Sequence, residues 1–114
     1  MTARFLPAAM LELESASGYY ETVSPRLGRA FRQTVRSGIE AIENHHRIGP
    51  SVNADTETIL RNYFLGRFPY RMIYTIEANE ILVVALAHQH RRSDYWRGRV
   101  EEPRATYSNT RAAA

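Results

Sequence analysis

The sequence contains no cysteine. That excludes a disulfide framework and any thiolate metal site, and it fits a cytoplasmic address. Lysine is absent too, so all 15 basic residues are arginine. Every fixed cation is therefore a guanidinium, a rigid fork of donors suited to carboxylates and phosphates. Long apolar runs are also missing. The longest, Ile81–Ala87, is far too short to span a bilayer. The opening stretch Met1–Leu13 carries Arg4, Pro7 and Glu12 and lacks the apolar centre of a signal peptide. Glycine loops that cradle phosphate, nucleophile elbows, repeats and heptads do not occur. These absences leave an expectation of a soluble, intracellular protein.

What is present suits one globular domain. The chain has 114 residues, an apolar fraction of 44% and a net charge of +3. A core of modest size can be buried. The basic surplus points to an acidic partner or a nucleic acid. We expect the domain to occupy residues 1–100. Residues 101–114, polar and ending in alanine, read as a disordered tail.

Periodicity supplies the elements. Arg4-Phe5-Leu6 reads as a brief strand. Ala9, Leu13, Ala16, Tyr20 and Val23 recur at helical steps and predict a helix over Ala8–Val23. Gly18 within it predicts a close approach to a neighbour or a weak point. Ser24-Pro25 starts a second helix that runs to about His46. Its stripe is Leu27, Phe31, Val35, Ile39 and Ile42, and its outer side carries Arg29, Arg32, Arg36, Glu40 and Glu43. Arg36 and Glu40 stand at pairing distance along that side. Gly49-Pro50 closes the region, and Ser51–Thr58 reads as polar turn. Three strands follow, over Ile59–Leu65, Tyr70–Glu77 and Glu80–His88, with a tight turn at Ala78-Asn79. Tyr70, Met72, Tyr74 and Ile76 share one strand face; Arg71, Ile73, Thr75 and Glu77 share the other. The last strand is apolar on both faces, which marks it as central. The fold class is α+β: a short N-terminal strand, then an antiparallel helix hairpin on one face of a curved, mainly antiparallel sheet, in the order β-α-α-β-β-β. The opposite sheet face is left for a partner or substrate.

Four segments, in this order and spacing, resemble the RelE/ParE superfamily of toxins. They are Leu13-Glu14 through Tyr19-Tyr20; Ser24-Pro25-Arg26-Leu27-Gly28 followed by Phe31; Leu65-Gly66-Arg67-Phe68-Pro69-Tyr70-Arg71-Met72-Ile73-Tyr74; and Val83-Val84-Ala85-Leu86-Ala87-His88 running into Arg91-Arg92 and Tyr95-Trp96. The resemblance covers roughly Phe5 to Arg97 and is closer to the ParE-like, plasmid-stabilisation branch. It implies a growth-inhibiting toxin of a type II toxin–antitoxin system, neutralised by and assembled with a cognate antitoxin. Its target would be DNA gyrase for a ParE-type member, or mRNA on the ribosome for a RelE-type endoribonuclease.

RNA cleavage needs a base, charge stabilisation at the phosphate and an acid. By resemblance, Arg71, His90 and Tyr95 would be the catalytic residues of a metal-independent nuclease. The lysines typical of such sites have no counterpart here. Arg71 also has a structural reading, as the ion-pair partner of Glu77, Glu80 or a helix carboxylate. Arg67, His88, Arg91, Arg92 and Trp96 are the candidate contacts to a partner or nucleic acid. Tyr95-Trp96 further reads as a packing anchor for the tail, and His88 as a strand-end histidine bonded to backbone. His45 and His46 diverge on a helix end, and His88-x-His90 lacks further ligands, so neither a metal nor another cofactor is expected.

Overall fold

A computed structural model describes residues 1–52, 59–89, 95, 96 and 99. Its elements are β1 (Ala3–Phe5), α1 (Pro7–Val23), α2 (Pro25–Asn44), β2 (Ser51–Val52), β3 (Leu60–Phe64), β4 (Tyr70–Glu77) and β5 (Glu80–His88). The strands form one sheet in the order β1-β5-β4-β3-β2. All neighbours are antiparallel except β1, which lies parallel to β5 with Ala3 opposite Ile81 and Phe5 opposite Val83. The α+β order expected from the sequence is present, with β2 added. Ser51 and Val52 belong to an edge ladder with β3, not to a turn. Two residues are too few to show any alternation.

The helices form for the reasons their sequences give. Proline stands at the first position of each, where its missing N–H costs nothing. Ser24 caps α2: its Oγ accepts the Leu27 N–H at 3.0 Å. Phe31, Val35 and Ile42 of α2 are buried, with Leu27 and Ile39 packed against them. The stripe of α1 is interrupted: Ala9 and Ala16 are buried, but Val23 is 61% exposed. Among the described residues Gly18 has no neighbour near enough to explain it, so no close approach is seen there. Arg36 and Glu40 form no ion pair; the bridge on that side joins Arg32 to Glu21 across the hairpin at 3.0 Å. Glu43 reaches β1, accepting the Ala3 N–H at 2.8 Å.

Two details of the sheet set the site. Ala78 and Asn79 both take positive φ, the twist that a two-residue hairpin needs. A bulge then interrupts the β4–β5 ladder: Tyr74 pairs with Val83, Ile73 with Ala85, and Val84 has no opposite number. The bulge inverts parity along β5. Ile81, Val83 and Leu86 join the core under the helices, whereas Val84, Ala85 and Ala87 join a second cluster. That second cluster includes Leu6, Leu60, Ile73 and Trp96. The sheet face away from the helices is thus covered in part by the chain's own tryptophan.

Candidate functional site

β1 accompanies β5 for three residues only, and its last contact is the Leu6 N–H donated to Val83 O at 3.0 Å. Beyond that point the outer edge of β5 is finished by side chains. Glu12, one helical turn into α1, accepts the Leu86 N–H on Oε1 at 3.1 Å. The same carboxylate accepts the Tyr95 hydroxyl on Oε2 at 2.7 Å and the Arg99 guanidinium on Oε1 at 2.7 Å. Arg99 also donates to Val84 O at 3.3 Å and lies over the Tyr95 ring, 5.0 Å from its centroid. Trp96 goes to the opposite side of the sheet, 3% exposed among Val84, Ala85 and Ala87. Tyr95, Trp96 and Arg99 therefore straddle the free edge of β5. The reading of Tyr95-Trp96 as a packing anchor holds for these two residues.

On the helix side this arrangement encloses an open cavity of about 400 Å³, lined by Glu12, Ser15, Tyr70, His88, Tyr95 and Arg99 among others. The bulge is what brings His88 there. Its ring packs edge-on against Tyr70, its register partner, at 5.1 Å between centroids. Tyr70 continues into an aromatic cluster with Tyr20, Phe31 and Phe68, at 5.4 Å from Phe31 and 6.4 Å from Tyr20. Burial pushes the Tyr70 phenol above its usual ionisation range, and the neighbouring phenols of Tyr20 and Tyr19 add to this. Tyr20 is raised for the same reasons, burial first and Tyr19 second.

Arg71 lies elsewhere. It alternates with Tyr70 and Met72, so it belongs to the sheet face away from the helices, between Phe64 and Ala87. Among the described residues its expected ion pair is not made. Glu77 and Glu80 face each other at the far end of the hairpin, and Glu80 is bound by Arg4 at 2.9 Å. The Arg71 Nε is closed to solvent without a hydrogen-bond partner. Of the nuclease set, then, Arg71 and the Tyr95 hydroxyl are turned to different faces: the Tyr95 ring packs at the β5 edge against the second cluster, but its hydroxyl is held by Glu12 of α1. His90, the third member, and the contact candidates Arg91 and Arg92 lie outside the described residues. Arg67 is exposed in the turn before β4, over the Phe68 ring at 5.5 Å.

Sequence reasoning missed Glu12 and Arg99, because their meeting depends on a long-range closure that leaves no local pattern. Asn62 and Phe64 were missed as well, although their alternation with Tyr63 could have placed them beside Arg71.

Comparison with known proteins adds a family. Residues 3–93 match the family described as "ParE toxin of type II toxin-antitoxin system, parDE". Among solved structures, the chain resembles one described as "Chromosomal ParDE TA system from P. aeruginosa", with a TM-score of 0.65 and 15% identity. That likeness spans 77% of this chain and 95% of the other, and at this identity it speaks for the fold. No curated protein matches the sequence.

Proposed function

Because the chain belongs to the ParE toxin family and is the toxin component of a toxin–antitoxin system, we propose that it inhibits growth, when free of its antitoxin, by binding DNA gyrase rather than by cleaving mRNA. The observation that carries this reading is that the Tyr95 hydroxyl and Arg71 are turned to different faces of the sheet. Acid–base cleavage of one phosphodiester needs its groups within hydrogen-bond reach of the same reacting atoms. Here the Tyr95 hydroxyl is engaged by Glu12 on the helix side, while Arg71 belongs to the other face. The absence of lysine removes the cations typical of the ribosome-dependent branch. Tyr95 and Trp96 then serve to close the β5 edge. Of the described candidates for partner contact, Arg67 is exposed in its turn, His88 stands at the rim of the cavity, and Trp96 packs on the sheet face that Arg71 shares.

Expression without the antitoxin tests the toxin reading: growth should stop. Purified protein should inhibit gyrase supercoiling and leave ribosome-programmed mRNA intact. Inhibition that persists in Tyr95→Phe and His90→Ala supports a binding mechanism. Cleavage of mRNA that disappears in either variant would establish the endoribonuclease instead.

A further inference from the structure

The sheet face away from the helices carries polar atoms that nothing in the described chain satisfies. Register sets Asn62, Ile73 and Ala85 in one row across β3, β4 and β5, with Phe64, Arg71 and Ala87 in the next. Trp96 clusters with Ile73, Ala85 and Ala87. In this patch Asn62 Oδ1, Arg71 Nε and Trp96 Nε1 are all closed to solvent and have no hydrogen-bond partner. A guanidinium and an indole are donors only, and the guanidinium cannot shed its charge. Burying part of such a charge without a counter-charge is unfavourable. No carboxylate of the described residues pairs with Arg71, whereas Arg4, Arg32 and Arg99 each have one. Arg71 as a whole keeps partial exposure. Directly beside it, Phe64 is 51% exposed.

We propose that Arg71, flanked by Trp96 and Asn62 and walled by Phe64, is the receptor for a carboxylate side chain on an acidic segment of a partner protein. This deepens the reading of the chain as a toxin that acts and is controlled through protein contacts, and rests on it only for the class of partner. The donor set calls for an oxyanion, and two features favour a peptide as its source. The patch offers an acceptor, Asn62 Oδ1, beside its donors. A peptide supplies both a carboxylate and N–H groups, whereas a phosphodiester backbone supplies acceptors alone. Nucleic-acid backbones are also held by several cations along their length, and the two rows described above contain one. The carboxylate approaches the partly exposed guanidinium, and small side-chain shifts bring the indole N–H and the Asn62 oxygen into the contact. The apolar ring of Phe64 packs against the neighbouring residue of the segment.

The chain carries its own reporter, because Trp96 is its one tryptophan and gives a single indole N–H signal. The full, isotopically labelled protein is titrated with a capped Gly-Glu-Phe-Glu-Gly peptide, its Gln-for-Glu counterpart, inorganic phosphate and a short RNA oligonucleotide. The indole and Arg71 Nε–H signals should shift saturably with the Glu peptide. The Gln peptide should bind at least about tenfold more weakly, as should the Glu peptide to Arg71→Gln or Arg71→Lys. If neither variant folds, the Glu-against-Gln comparison on the natural chain decides alone. Equal binding of the two peptides, an unchanged shift in a folded Arg71 variant, equal response to phosphate, or saturation by RNA but not by peptide would each overturn the proposal. Gyrase and growth assays on the same protein keep the readings apart. Peptide binding without gyrase inhibition sinks the target and spares the site; gyrase inhibition without peptide binding does the reverse.

Discussion

Replacing Glu12 with alanine tests whether the β5 edge is held by one carboxylate. The substitution removes the acceptor of three donors at once: the Leu86 N–H, the Tyr95 hydroxyl and the Arg99 guanidinium. Hydrogen bonds to a charged group contribute about 1.5–3 kcal/mol each, but three on one carboxylate do not add. Breaking a buried ion pair from one side costs about 3–5 kcal/mol. The Arg99 and Glu12 side chains are 23% and 20% exposed, so water recovers part of this. We expect a loss of roughly 2–4 kcal/mol, a large share of a total of about 5–15 kcal/mol. For a domain of this size that lowers Tm by roughly 8–16 °C. Glu12→Gln keeps the shape and an acceptor and should lose about half as much. Urea denaturation followed by far-UV circular dichroism and by tryptophan fluorescence measures it; the two probes together separate global unfolding from local release of the Trp96 segment. A double-mutant cycle with Arg99→Ala should return a coupling of about 1–3 kcal/mol. The exposed pair Arg32–Glu21, with side chains 50% and 47% exposed, is the control and should couple by less than about 0.5 kcal/mol. A Glu12→Ala chain with unchanged midpoints on both probes, or a Glu12–Arg99 coupling no larger than the control's, would refute the reasoning.

Tyr74→Phe deletes the buried hydroxyl that accepts the Gly49 N–H at 3.1 Å; a loss of about 1–3 kcal/mol should appear in the same denaturation assay. Ser17→Ala should be neutral or stabilising by up to about 1 kcal/mol, because the buried Ser17 Oγ has no hydrogen-bond partner; a clear destabilisation would reveal one. Raised phenol ionisation at Tyr20 and Tyr70 makes stability depend on alkaline pH. Above the usual value of 10.0 the unfolded chain loses these protons first, so their contribution is intact below that pH and declines as pH rises through the folded values. Spectrophotometric titration should show late-ionising tyrosines that disappear in Tyr20→Phe and Tyr70→Phe, and a flat stability profile above that pH would contradict the assignment.

Much of the fold was legible because burial writes itself as periodicity. Phe31, Val35 and Ile42 declared the inner face of α2, Ser24-Pro25 its start, and Ala78-Asn79 the hairpin. What stayed hidden was whatever depends on a single residue or on a distant partner. β2 is too short to alternate. The bulge at Val84 passes unseen in a strand that is apolar on both sides, yet it decides that Leu86 and His88 face the helices. Arg71 was given a carboxylate by its distance along the chain from Glu77 and Glu80. The antiparallel hairpin puts both at its far end. Tyr95 was grouped with Arg71 by family resemblance, and only the path of the chain around the β5 edge turns its hydroxyl to Glu12 rather than to Arg71's face.

The parallel pairing of β1 with β5 also bears on translation. Ala3 is synthesised well before its partner Ile81. At elongation rates of about 5–20 residues per second, β1 waits roughly 4–16 s for its neighbour. A nascent or prematurely released chain that stops before β5 has both helices and β2 to β4 but lacks the strand that joins β1 to β4, hence no completed sheet. Completion of the sheet is thus deferred until β5 has been made, and through that interval the helices lack the core contribution of Ile81, Val83 and Leu86.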